Sequence, residues 1–536
     1  MDFVPEQFTE GERARLAPYF TNLDGPVFAL VNLPEVVKGA LFARYSRSAK
    51  SLLRLYLDEF DQEGSVPHPS AASDAGVGRA EALYERVFLE YGDDSVAQLG
   101  GVHLACEQAS QPLAKVLERG RLAAYLEQST RYVPYDDRPG GRWRYVVPDE
   151  VSADAKLDER FRGTLDHAFE TYARWLGPMQ DALRARFPKD VGDSDLAYRM
   201  TIRAKACDAL RGLLPAATRS NVGIYATAQS YEQLLLRMRA NPLAEVRAYA
   251  DLVLAELRKV IPAFLTRVDL PDRGGRWSEY LRTTRAATEQ VANEALAGVE
   301  IDPRPEVTLT DFDPDGEVKV VAAALYAASD LPDGRLVEMA RKMPAEERAT
   351  ILRACVGDRT NRRHKPGRAF ERSSYRFDVL CDYGAFRDLQ RHRLLTIEWQ
   401  PLSTLHGFEV PPEVRDVGAA EDWNRVMSES AGLYQAMRSA GLGEAAQYAV
   451  SMAYRIRFSM EMNAREALHL IELRTTPQGH PVYRRVCQEI FRLIREQAGH
   501  TGIAAAMRFV DLSPAETGRL EAERRSEAKR QARSAS

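Results

Sequence analysis

The strongest constraint on this chain is that its motifs occur twice, in the same order. An apolar helical stretch ending in Arg119-Gly120-Arg121 has a counterpart ending in Arg391-His392-Arg393. Farther on, QSYEQLLLR closing at Arg237 matches REALHLIELR closing at Arg474. After each of these arginines comes a short polar break with a proline, then a long amphipathic stretch. A weaker pair, VVKGALFARYS from Val36 and VKVVAAALYAAS from Val318, precedes both. Shared order at this scale is the mark of a tandem duplication. Two modules also suit 536 residues, a length too great for one small core. The boundary falls in Val291 to Pro305, where helical periodicity lapses around Gly298, Pro303 and Pro305. The expected organisation is a first module over 1–295, a second over 303–514 and a charged tail over 515–536 that reads as a solvated helix.

Apolar residues recurring at three and four predict a helix-rich chain. Helices are expected over Leu52–Phe60, Arg79–Tyr91, Val102–Glu118, Glu232–Ile261, Arg335–Cys355, Ala419–Arg438, Glu444–Arg474 and Val482–Gln497. Strand signals are few. VTLTDF and EVKVVAAAL within Glu306–Leu325 flank Pro314-Asp315-Gly316 and predict a β-hairpin, and Pro26–Val31 is a shorter candidate strand.

Charge and cysteine content exclude several classes. Lysine plus arginine number 73 against 77 acids, a net charge of -4, which argues against a general nucleic-acid binder but leaves room for a local basic pocket. Five cysteines with no C-x-x-C pair make neither a disulfide framework nor a zinc site, so no metal is expected. The first residues lack a signal-peptide pattern and no apolar run is long enough for a bilayer. A soluble, cytoplasmic protein without a membrane partner is expected.

Three constellations could carry chemistry. The first gathers Arg119, Arg121, Glu127, Ser129, Arg131 and Tyr132; guanidinium forks suit phosphate and carbonyl oxygens, although composition alone favours a surface salt-bridge cluster. The second is Arg391-His392-Arg393, where like charges on both sides hold the imidazole neutral; a structural histidine is the bland alternative. The third runs from Asn463 through Arg465 and His469 to Arg474, residues that share a face only if a helix starts near Asn463, and that otherwise form an ion-paired helix edge.

Arginine-X-arginine, seven residues, then Ser-X-Arg-Tyr resembles the signature of flavin-dependent thymidylate synthases. The first half matches at Arg119, Arg121, Ser129, Arg131 and Tyr132, with Gly120 in place of the family's histidine. The second half keeps Arg391, His392 and Arg393 but has Pro401 and Ser403 where the serine and arginine belong. The family's downstream Asn-X-Arg and Leu-Arg appear at Asn463, Arg465, Leu473 and Arg474; in the first half Arg237 survives. A further family arginine corresponds to Arg211, before Pro215, with Gln447 as its second-half counterpart. The family's Glu-His pair reads Gln98-Leu99 in one half and Glu371-Arg372 in the other.

The resemblance implies an α+β fold of two tandem modules, each helix-rich with a small antiparallel sheet. It implies synthesis of dTMP from dUMP with methylenetetrahydrofolate as one-carbon donor, NADPH as reductant and FAD as cofactor. The losses in the two halves are complementary, which implies one composite site per fused pair. The first half would supply the dUMP side, Glu127, Ser129, Arg131, Arg211 and Arg237, joined by Arg474. The second would supply the FAD side, Arg391, His392, Arg393, Glu398, Asn463, Arg465 and His469. Arg119, Arg131 and Arg391 are the expected catalytic groups, since developing negative charge on uracil carbonyls needs fixed cations. Family members are homotetramers, so a homodimer of fused chains is expected. A catalytically inactive flavin- or nucleotide-binding paralogue, or a structural partner of an intact synthase, is the alternative.

Overall fold

Two small antiparallel sheets organise the chain, each flanked by helices. The computed structural model describes residues 6–25, 28–45, 48, 50–61, 98–300, 302–514 and 524. In the first sheet β1 (Gly101–Ala109), β2 (Ala123–Glu127) and β3 (Ser220–Thr227) lie in the order β1-β3-β2. The second contains β4 (Val307–Phe312), β5 (Ser374–Asp382), β6 (Thr396–Trp399) and β7 (Arg455–Asn463) in the order β4-β5-β7-β6. With β4 set aside, the second order repeats the first strand for strand. The connections repeat too. The helix Gln111–Leu117 joins β1 to β2 as Tyr383–Leu389 joins β5 to β6, and Ala228–Arg239 follows β3 as Ala464–Arg474 follows β7. The duplicated unit is a whole α+β module.

Packing does not follow the order of the chain. One compact unit gathers the described residues of 1–109, 116–127 and 221–299; the other gathers those of 110–115, 128–220 and 300–536. Residues 128–220, from the first half, therefore pack with the second sheet. Inside that second unit β5 turns Tyr375, Phe377, Val379 and Cys381 to the core while β7 turns in Ile456, Phe458, Met460 and Met462. The Phe386 and Phe458 rings meet at 5.0 Å between centroids. Each such side chain, fully buried, stabilises the fold by roughly 1.5–3 kcal/mol.

Several expected elements change type. The first half of Val102–Glu118 is strand β1, and much of Glu444–Arg474 is strand β7. R-I-R-F-S-M-E-M alternates with period two, and pairing with β5 along its length overrides the helix-forming residues. The expected hairpin over Glu306–Leu325 has only its first strand; Gly316–Tyr326 is a helix that buries Val320, Val321 and Ala322. Glu232–Ile261 breaks at Asn241-Pro242, and Arg335–Cys355 breaks at Met343-Pro344, because proline cannot continue a helix. Strand β5 and the 32-residue helix Ala155–Arg186 were not anticipated. Arg79–Tyr91, Pro26 and Val27 lie outside the described residues, as does the tail save Arg524, which pairs with Asp190 and Asp193 at 2.7 Å each. Among the described residues no helix is long and apolar enough to cross a membrane.

Candidate functional site

The loop after β2 turns one arginine inward. Ser129 accepts from Arg131 N through its Oγ at 3.2 Å, and its carbonyl accepts from Val133 N at 3.0 Å, closing a tight turn. Arg131 is buried and fully engaged. Its Nε and Nη2 donate to the two oxygens of Asp208 at 2.6 and 2.8 Å, Nη1 donates to Tyr483 Oη at 2.9 Å, and Nη2 also reaches Gln478 O at 3.0 Å. Burial alone would lower the arginine, but Asp208, Tyr483 and Asp388 beside it raise it above its ordinary value. Burial likewise works against the Asp208 carboxylate, and Arg131 overcomes it, holding the group at about 2.

A second carboxylate gathers the other arginines. Asp388 sits on the helix Tyr383–Leu389, whose N-terminus is capped by Asp382 accepting from Ala385 N at 2.8 Å. Arg391 pairs with Asp388; Arg474 meets it at 3.5 Å and donates to its carbonyl at 2.5 Å; Arg211 stands 3.8 Å away. Burial would raise Asp388, but Arg391, Arg474, Arg131 and Arg211 hold it well below the usual carboxylate range. The Tyr483 ring links the two centres, with Arg131 at 5.7 Å and Arg474 at 5.4 Å from its centroid.

Arg474 also fixes the histidine of the second motif. Its Nε donates to His392 Nε2 at 3.0 Å, which leaves the proton on Nδ1, facing Glu466 Oε1 at 3.0 Å. Burial first, then Arg474 and Arg391, keep this imidazole neutral, well below the usual histidine value. His392, Glu466 and His469 bring ligand atoms within 4.8 Å of one another, the spacing of a metal site. In the tautomer that Arg474 imposes, an N–H rather than a lone pair faces Glu466, so His392 links Arg474 to Glu466 by hydrogen bonds. His469 is half-buried and lowered to about 4, chiefly by burial.

Beside the cluster a cavity of about 320 Å³ is bounded by Asp208, Arg211, Asp382, Trp423 and His480. Burial raises Asp382 to about 6 against the pull of Arg211, and burial followed by Arg211 keeps His480 neutral. Arg211 Nη2, Asp382 Oδ2 and Trp423 Nε1 are buried with no hydrogen-bond partner among the described residues.

The structure thus brings together Arg131, Arg211, Arg391, His392 and Arg474, with Ser129 shaping the turn. Arg119, Glu127 and Arg237 belong to the first compact unit. There Arg237 lines a pocket of about 180 Å³ with Gly120 and Tyr125, and desolvation, with Arg119 adding to it, lowers its pKa. Arg393 and Glu398 are exposed, Glu398 lying on β6 opposite Ser459 of β7. Asn463 caps its helix by accepting from Glu466 N at 2.9 Å, so that helix does start where face-sharing requires. Arg465 donates to Pro366 O at 2.9 Å and faces Glu371 at 3.6 Å. On this side Lys365 and Arg362 act electrostatically on His469, a cationic setting that fits the pyrophosphate of a dinucleotide cofactor. Sequence reasoning missed Asp208, Asp388, His480 and Tyr483. The spacing of Asp388 three residues before Arg391 was the available signal.

A repeated strand–helix–strand module with arginine motifs at its helix ends places the chain in the class of flavin-dependent thymidylate synthase-like proteins. The chain belongs to the family described as thymidylate synthase complementing protein, whose sequence model matches residues 41–263 and 308–499. It is 39% identical over 529 residues to a UPF0159 protein of Chlamydia pneumoniae, covering 97% of this chain and 98% of that protein. It is 29% identical to a UPF0159 protein of Thermoplasma acidophilum, over 92% of this chain and 99% of the relative. A flavin-dependent thymidylate synthase of Mycobacterium sp. (strain JLS) is 30% identical over 205 residues, 38% of this chain and 73% of that enzyme. The full-length relatives carry a name that states no activity.

Proposed function

We propose that this chain is a flavin-dependent thymidylate synthase in which two fused modules keep one composite nucleotide site. The carrying observation is the convergence of Arg131 and Arg211 from the first half with Arg391 and Arg474 from the second inside one compact unit. Four guanidinium groups outnumber the three carboxylates Asp208, Asp382 and Asp388, so the cluster stays positive and suits the dianionic phosphate of dUMP. Arg391, the most exposed of the four, meets in this reading a carbonyl oxygen on which negative charge develops. Ser129 shapes the turn rather than acting as a nucleophile, because its Oγ accepts from Arg131 N and no base is bonded to it among the described residues. His392 orients Arg474 through a neutral ring. FAD is held, in this reading, by the side carrying His469, Lys365 and Arg362, and when bound supplies the hydride of the reductive step. NADPH, methylenetetrahydrofolate and a homodimeric assembly complete the reading by family likeness.

A second reading is a nucleotide-binding paralogue without turnover. The locking of both His392 nitrogens supports it, as does the use of Arg372 in an ion pair with Asp333 at 3.0 Å. One experiment separates the two: titrate dUMP into the purified full chain, then assay dTMP formation with FAD, NADPH and methylenetetrahydrofolate. Binding with turnover supports the synthase; binding alone supports the paralogue; no dUMP binding rejects both.

A further inference from the structure

We infer that the helix Arg276–Ala295 pairs antiparallel with the same helix of a second copy of this chain, along a seam of Trp277, Tyr280, Thr284, Ala287 and Val291. The helix has 20 residues and buries none of them. It lies between the two segments that match the family model, so it is no part of the shared module. One edge leans on its own compact unit: Ser278, Leu281 and Arg285 are half-buried, and Ser278 Oγ donates to Leu236 O at 3.3 Å. The next edge is bare. Trp277, Tyr280 and Val291 are 44%, 63% and 63% exposed, and Thr284 and Ala287 between them are exposed too. These five recur at three, four, three and four, the spacing by which one helix presents a continuous stripe to another. A stripe of this kind left in water marks an interaction surface.

Charge selects the occupant and its direction. Arg276, Arg282 and Arg285 against Glu279 make the N-terminal half basic, while Glu289 and Glu294 make the C-terminal half acidic. Such a helix complements a reversed copy of itself and repels a parallel one. Glu279 is taken by Arg282 at 2.6 Å and Glu289 by Arg285 at 3.4 Å, whereas Arg276 and Glu294 join no ion pair among the described residues. Those two stand about five turns apart and so lie on the same flank of the seam. Reversal sets Arg276 beside the partner's Glu294 at both ends of the pair. Side-chain size agrees with this register. Tyr280 meets the partner's Val291, and Thr284 meets the partner's Ala287 at the centre, where small residues let the helices close. From Trp277 to Val291 the seam is about 21 Å long and one helix wide, less than a standard interface, so the pairing depends on concentration. It is independent of what the arginine cluster binds, and either can fail without the other.

The test is disulfide trapping in the full chain. Thr284→Cys and Ala287→Cys are made as separate variants, mixed in equal amounts and oxidised with copper–phenanthroline. Wild type, whose five cysteines are buried or half-buried, gives the background. The antiparallel seam predicts a cross-linked dimer in the mixture, about threefold or more above either variant alone, because only the mixture brings two thiols face to face. Arg282→Cys, on the far side of the helix, should trap nothing beyond background with either partner. Arg276→Glu in both chains of the mixture should cut trapping about threefold or more, since two such pairs form per dimer, and adding Glu294→Arg should restore it. Tm is followed for every variant as a check on folding. No dimer above background in the mixture overturns the inference, as does equal trapping by the variants alone. Trapping that ignores the charge reversal, or that the double reversal fails to restore, also overturns it. So does slow thiol labelling of the untrapped variants, which would show the stripe covered within its own chain.

Discussion

Arg237 and Arg474 lie in the last turns of equivalent helices of the two modules and meet different surroundings. Arg474 is received by Asp388, His392 and the Tyr483 ring. Arg237 is desolvated beside Arg119 and Tyr125, with no carboxylate paired to it among the described residues. In the first unit Gly120 replaces the histidine, and the Tyr125 hydroxyl donates to Gly120 O at 3.1 Å, where a Cβ on residue 120 would come within 2.5 Å. The difference teaches what keeps a duplicated site alive. Arginines that must wait for an anion are held meanwhile by buried counter-charges, as Asp208 holds Arg131 and Asp388 holds Arg474.

The largest expected effect breaks the comparison at its charges. Arg131→Ala removes the two-pronged partner of the buried Asp208 carboxylate and should destabilise the protein by about 3–5 kcal/mol, whereas Arg237→Ala should cost under about 1 kcal/mol; denaturant midpoints read both. Equal costs would erase the distinction between the two pockets.

Next come two carboxylates shifted in opposite directions. Asp208 is lowered from 3.8 to about 2, so its contribution of about 2 kcal/mol is present above pH 4 and lost as pH falls toward 2. Asp382 is raised from 3.8 to about 6, so it costs about 3 kcal/mol that develops as pH rises from 4 to 6. Asp382→Asn should therefore raise Tm at pH 7 and lose that gain by pH 4, while Asp208→Asn should lower Tm at pH 7. A smaller effect sits at the motif centres: Gly120→Ala should cost about 1 kcal/mol, with Tyr125→Phe in the same chain recovering much of it. The smallest is Pro401→Ser, an exposed position, expected within about 0.5 kcal/mol and without effect on dUMP binding.

Duplication was legible in the sequence because the Arg-X-Arg and Leu-Arg motifs keep their order, and the sheets repeat it as β1-β3-β2 and β5-β7-β6. Strands β1 and β7 were not, since Ala, Glu, Arg and Met are good helix formers and only pairing across the sheet decides against them. Arg131, Arg211, Arg391 and Arg474 could be read from their motifs. Asp208, Tyr483 and His480 could not, because their roles depend on residues 128–220 packing with the second half, a long-range arrangement that no local pattern carries. The neutral state of His392 followed from its arginine neighbours, although burial turned out to be the larger cause.

The central claim is one composite nucleotide site per chain, held by Arg131 and not by Arg237. Calorimetric titration of dUMP tests it most directly. The account predicts one site per chain in the wild type and in Arg237→Ala, and a loss of affinity of about tenfold or more in a folded Arg131 variant such as Arg131→Lys. Two sites per chain, or a site lost with Arg237 and kept without the Arg131 guanidinium, would contradict it.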